Sequence, residues 1–301
     1  MVLNLENYYK TEDCLDDDLK DRKRRHVSVL FGVCYILDKD IALRFGRPPL
    51  LTEDYCDLAF MDSAAGGTDI VHEYPTDPKL SLIKERICCL LYSPKADKGS
   101  DGEILHNIRQ LDYELEQWRL SMPGSLRPRL SISLDSGPAI REAATRQDKQ
   151  IALQLDYHYT LITIHTMVRK CGASNEETDL PEDLHGVIHS SVDLSLEAGR
   201  STLLFLKFSL SLLGAKAFQY IQSFAPVAAM ALFVNVLVHP LGDSSQGDLE
   251  TLIQAVGTFQ TIPIDSLSGN EIQQIQALCE FIMELVRLGS CAIWKAKTDR
   301  K

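Results

Sequence analysis

Two histidines four residues apart, His185 and His189, are the first pair in this sequence that could do chemistry. On a helix that spacing puts both imidazoles on one face, and Glu182 lies one turn earlier. Such a set can hold a metal ion. Two ligands and a nearby carboxylate also occur by chance, and the other reading is a solvated helix N-terminus. A second pair, His158 and His165 in YHYTLITIH, is seven apart within an apolar run. These two read as hydrogen-bonded or half-exposed histidines rather than ligands. Tyr157 and Tyr159 beside them serve equally as pocket lining or as core aromatics.

No two cysteines have CxxC spacing. Cys88 and Cys89 are adjacent, so on a helix they point about 100° apart. The sequence has no GxSxG elbow, no HExxH, no GxGxxG and no GxxxxGK. With those motifs missing and no alternation of strands and helices, an enzyme is not expected, and no catalytic, cofactor-binding or metal-binding residue is assigned.

The elements that would position any site are helical. Val27, Leu30, Phe31, Cys34, Leu37 and Ile41 recur at intervals of three and four, with Val33, Tyr35 and Ile36 widening the stripe. That predicts a helix buried on most sides. Gly46 and the Pro48-Pro49 pair then stop it. Further helices are predicted over about 80–92, 103–120, 142–170, 184–213, 215–238, 249–259 and 269–295. The third carries a seam of Ile104, Ile108, Leu111, Leu115 and Trp118. The fourth points Leu155, Ile162, Ile164 and Val168 inward. The last has a stripe of Ile272, Ile275, Leu278, Ile282, Leu285 and Leu288. Strands are scarce, and the fold class is all-α. A polar, acidic segment over 1–23 precedes one helical domain over 24–301, with a sub-boundary in the Pro/Ser/Gly linker 122–138.

Composition narrows the partners. The 301 residues are 45% hydrophobic and 24% charged, enough to bury a core, and the net charge is -11. A nucleic-acid binder needs a basic face to neutralise phosphates. Here the one basic run is Arg22-Lys23-Arg24-Arg25, which reads as a solvated first helical turn or an import signal. The eight scattered cysteines read as reduced, buried thiols. The apolar run from Phe224 to Val238 is too short to span a bilayer and reads as a buried helix, so no membrane partner is expected.

Two segments resemble the regulatory domain, or middle homology region, of fungal zinc-cluster transcription factors. Residues 24–58 carry Arg24-Arg25, Phe31, Tyr35, Leu37-Asp38-Lys39, Gly46-Arg47-Pro48 and the acidic Asp54 and Asp57. Residues 224–252 carry an apolar run ending in Asn235 and Pro240, then Asp248-Leu249. The resemblance implies a nuclear transcription regulator controlling metabolic or secondary-metabolite genes. It implies partners in the transcription machinery or co-regulators, a homodimer and a small-molecule effector. The alternative from another class is a helical receptor or scaffold without DNA binding.

The family's six-cysteine cluster is not in this sequence, so no cofactor is expected in the chain. Zinc and DNA contact are expected only through a module outside it or a partner. A truncated product, an excised fragment and a factor acting through partners all fit that reading. Gly32 stands where the family has Trp, which predicts a loosened core there. Asp38 is expected to pair with Arg44 or Arg47 and tie down the GRPP turn, so Asp38→Ala should destabilise clearly and Asp57→Ala little.

Overall fold

In a computed structural model the described residues are 17–52, 77–133, 148–171, 182–263, 265 and 267–300. They form eight α-helices and no strand. The chain is all-α. Contacts divide it into two compact units, 1–122 and 123–301.

The first unit contains α1 (Asp17–Phe45), α2 (Pro78–Leu91) and α3 (Asp101–Ser121), with α2 packed against both of the others. Each start has a local cause. Asp77 accepts from the Lys79 N–H and Pro78 follows at the first helical position. Ser100 and Glu103 form a reciprocal capping box for α3. The α3 seam from Ile104 to Trp118 is buried as expected.

Helix α1 differs from the expectation in two ways. It begins at Asp17, inside the segment read as a polar tail. Carboxylates in a first turn favour helix, and Asp18 pairs with Arg22 one turn on at 2.9 Å. Nor is α1 buried on most sides. Tyr35, Ile36, Lys39, Ala42 and Leu43 are its buried register, whereas Leu30, Cys34, Leu37 and Ile41 are exposed. Apolar residues occupy both sides of the helix, so periodicity alone chose the wrong one. Gly32 is buried and lines none of the three cavities described below.

The second unit holds α4 (Asp148–Thr166), α5 (Glu182–Leu213), α6 (Ala217–Val238), α7 (Ser245–Phe259) and α8 (Gly269–Asp299). Every residue from Ile151 to His165 is buried. Helix α6 packs against α4, α5, α7 and α8. It is 22 residues long and apolar enough to cross a membrane by length and composition, longer than the run 224–238 suggested. Small residues let it approach its neighbours. A Cβ on Gly199 of α5 would lie 3.3 Å from the Ala228 carbonyl oxygen, and one on Gly289 of α8 would lie 2.8 Å from a Leu249 methyl. Gly289 takes the buried position on α8, and Leu288, expected inward, is exposed. Asp54, Asp57 and residues 134–138 of the linker lie outside the described residues.

Candidate functional site

The signature residues of α1 converge on a buried cluster of charge. Gly46 takes a left-handed φ of +60°, and the Arg47 N–H donates to the Ala42 carbonyl at 2.9 Å. This six-to-one closure is a Schellman stop, which favours glycine because other residues resist that φ. Pro48 and Pro49 then carry the chain back alongside α1. There the Asp38 carboxylate accepts from the backbone N–H groups of Leu50 and Leu51, at 3.0–3.1 Å. Lys39 donates to Asp38 at 2.9 Å and to the Leu51 carbonyl. Asp38 therefore ties the GRPP turn down, but through backbone donors and Lys39 rather than through Arg44 or Arg47. Arg47 is exposed.

The cluster continues into α2. Lys39 has no exposed side-chain surface, lies 3.2 Å from Glu85 and sits 4.1 Å above the Tyr35 ring. The Tyr35 hydroxyl donates to Glu85 at 2.8 Å. Beside it the buried Lys84 donates to Asp40 at 2.6 Å. A charge in this setting is tolerable only with its donors and acceptors satisfied. Desolvation pushes the Asp38 carboxyl up, but the bonds from Leu51, Lys39 and Leu50 outweigh it and hold the group below the usual range. Phe31 is half-buried one turn before Tyr35.

Lys84, Glu85 and Asp40 were not singled out from the sequence. A signal existed: Lys84 falls four after Leu80 and three before Ile87, a charge in an apolar register. Next to the turn is a cavity of about 270 Å³, lined among others by Leu43, Gly46, Pro48, Cys88 and Tyr92. Burial pushes the Cys88 thiol up to about 12, so it carries no thiolate at neutral pH. The cluster is built to hold geometry rather than to attack a substrate.

The second signature segment lies in the other unit. Asn235 is buried, and its carbonyl accepts from the His239 N–H at 2.8 Å, closing α6 one residue before Pro240. Asp248, 1% exposed, takes a two-point bond from Arg200: Nε to Oδ1 at 2.6 Å and Nη2 to Oδ2 at 3.0 Å. Arg200 and Lys207 also line a cavity of about 260 Å³ with Thr251, Gln254 and Thr258. A larger, more apolar cavity of about 580 Å³ lies between α7 and α8, lined among others by Val256, Phe259, Ile262, Ile275, Cys279 and Met283.

The side chains of Glu182 and His185 lie outside the described residues, so the predicted ligand set is not described. His189 is exposed on α5, and no group of three potential metal ligands occurs among the described residues. His158 is buried. Its Nε2 lies 2.8 Å from both the Arg129 carbonyl oxygen and the Gln154 side-chain nitrogen. Gln154 brackets the same backbone, accepting from the Arg129 N–H at 2.9 Å and donating to its carbonyl at 2.7 Å. Burial pulls His158 down to about 4, which keeps it neutral. His165 is also buried. The thiols depart from the expectation of burial: Cys34, Cys89 and Cys291 are exposed.

No protein-family model and no solved structure matches this chain. Curated proteins do. The chain is 27% identical over 300 residues to an ABC-transporter-regulating transcription factor of Aspergillus oryzae, covering 94% of the chain and 32% of that protein. It resembles transcription regulators. A protein of the same description from Aspergillus fumigatus matches with the same identity and coverage. A transcriptional regulatory protein of Schizosaccharomyces pombe is 21% identical over 281 residues, 89% of the chain and 34% of that protein. The chain thus spans about a third of the length of the curated relatives it matches. All three carry the names of regulators rather than enzymes.

Proposed function

We propose that this chain is a non-enzymatic, effector-sensing regulatory region of a fungal zinc-cluster transcription factor, acting in the nucleus. The reading rests on the similarity to named regulators, which runs over nearly the whole chain. The residues of the middle homology signature supply the finer assignment. By the names of the Aspergillus relatives, ABC-transporter genes join metabolic and secondary-metabolite genes as targets. Zinc and DNA contact belong to a module outside these residues, and co-regulators are the direct partners. The acidic charge supports that division of labour, because a net -11 repels a polyanion.

The test is to fuse the chain to an unrelated DNA-binding module in a fungal reporter strain. The expected result is a reporter output that differs from the module alone and is lost in Asp38→Ala. Output equal to the module alone would sink the regulatory reading. A gel shift with the isolated chain is expected to show no complex at physiological salt.

The effector reading has its own support in the 580 Å³ apolar cavity between α7 and α8, which has the size and lining of a small-molecule site. A ligand that binds only the folded state raises its melting temperature. Fractionated fungal extract should raise that temperature for the chain and not for Met283→Trp, which fills the cavity mouth. Equal shifts in both would remove the cavity from the proposal.

A further inference from the structure

The exposed thiols differ in what surrounds them. Cys34, Cys89 and Cys291 are exposed among the described residues. Cys34 and Cys291 line none of the three cavities, whereas Cys89 lines the cavity of about 270 Å³ beside the GRPP turn. Cys279 also lines a cavity, the apolar one between α7 and α8, but it is buried and desolvation pushes its thiol up. A thiol reacts as its thiolate, so a buried one is slow. Of the described cysteines, Cys89 combines exposure with a cavity.

We propose that this cavity is a covalent modification site, in which Cys89 captures an α,β-unsaturated carbonyl compound with an apolar body. Leu43, Pro49, Tyr92 and Pro94 give the cavity its apolar surface. Its volume holds roughly nine water-sized groups at ~30 Å³ each, enough for a ring and a short enone. The exposed Arg47 lines the same cavity and forms no ion pair with Asp97, the carboxylate of that lining. Cys88 is the second thiol there, 7% exposed. Burial pushes it up to about 12, so it stays protonated and sets no like charge beside Cys89.

The step balances without an oxidant or a reductant. The Cys89 thiol gives its proton to water, and the sulfur adds to the β-carbon. As the S–C bond forms, the C=C π bond breaks. Its electron pair moves through the α-carbon onto the carbonyl oxygen as an enolate. Arg47 supplies the cation for that oxygen, and charge developing in the transition state is where a fixed cation helps most. The α-carbon then takes a proton from water, and the adduct is neutral. Gly46 and Pro48 line the same cavity, so the adduct sits against the turn that Asp38 ties down.

Two reagents test this on the full chain at neutral pH: benzylideneacetone, an enone with a phenyl body, and acrylamide, which has none. Labelling of each cysteine is timed by peptide mass mapping. The enone is expected to label Cys89 at least about tenfold faster than Cys34 or Cys291, because its ring leaves water on binding. That rate should saturate with enone concentration. Acrylamide should show no preference of that size, and unfolding in urea should abolish the preference for the enone. Arg47→Gln changes an exposed side chain, so it should keep the helical circular dichroism while slowing the enone at Cys89 several-fold. Equal enone rates at Cys34, Cys89 and Cys291 would overturn the proposal. So would a preference that acrylamide shares or that persists in urea, or an unchanged rate in Arg47→Gln.

Discussion

Tyr35 and Glu85 meet across 50 residues of sequence, the phenol donating to the carboxylate at 2.8 Å while the same oxygen lies 3.2 Å from Lys39. One contact thus joins α1 to α2 and satisfies a buried ammonium. Tyr35→Phe removes the hydroxyl and leaves Glu85 with Lys39. The expected loss is about 1–2 kcal/mol by urea denaturation. Glu85→Ala, which strips Lys39 of a counter-charge in the core, should cost more.

Asp38→Ala is the more damaging change on the other side of Lys39. It frees the N–H groups of Leu50 and Leu51 and removes a second carboxylate from the ammonium. A loss on the order of 3 kcal/mol is expected. The pH dependence has a definite sign. The folded Asp38 carboxyl lies below its ordinary value of 3.8, so on acidification the unfolded chain takes up the proton first. Its contribution is complete above that value and is lost as pH falls below it. Asp38→Ala should show a smaller drop in stability over that acid range. An equal drop would remove Asp38 as the source.

His158 predicts a second acid dependence, in a higher window. Its folded value of about 4 lies below the ordinary 6.5, so the neutral form stabilises the fold above 6.5 and that contribution declines as pH falls toward 4. The slope is at most about 1.4 kcal/mol per pH unit. Denaturation of wild type and His158→Gln at pH 7 and pH 5 checks it. The variant should lose less on going to pH 5.

Arg200 and Asp248 should respond unequally to truncation. Asp248 is 1% exposed and cannot reach water, whereas the Arg200 side chain is 33% exposed and can. Arg200→Ala strands a buried carboxylate and is expected to cost about 3–5 kcal/mol. Asp248→Ala should cost roughly half of that, and the double variant less than the sum of the two. Additive losses would mean that the two-point bond contributes little.

Gly289→Ala tests the close approach of α8 to α6 and α7. The new methyl would sit 2.8 Å from a Leu249 methyl and 3.2 Å from one on Val236. Both side chains are buried, so a loss of about 1–3 kcal/mol is expected despite the better helix propensity of alanine. In the Leu249→Ala background the same change should cost much less, read from the melting temperatures of the four proteins in the cycle.

Much of the fold was legible locally. Helix starts and stops depend on neighbours in sequence, so Ser268 and Glu271 could cap α8 and Gly46 could end α1 without reference to the rest. Helix α4 was legible because its apolar residues run around the whole cylinder. The GRPP turn was correctly tied to Asp38, but with the wrong partner. Arginines look like the natural counter-charge in a sequence, and backbone N–H groups are never written there.

By itself the amino-acid order determined the all-helical class, the position of most helices and the glycine-proline stop, because propensity, capping and left-handed φ act within a few residues. Only the tertiary structure decided which side of α1 is core. Leu30, Cys34, Leu37 and Ile41 match a buried stripe as well as Tyr35, Ile36, Ala42 and Leu43 do, and burial is fixed by whatever packs on the helix. Lys84 and Glu85, about 45 residues from Asp40 and Lys39, supply that packing surface and its charges. Such pairing rests on distance in space, which spacing along one helix does not encode.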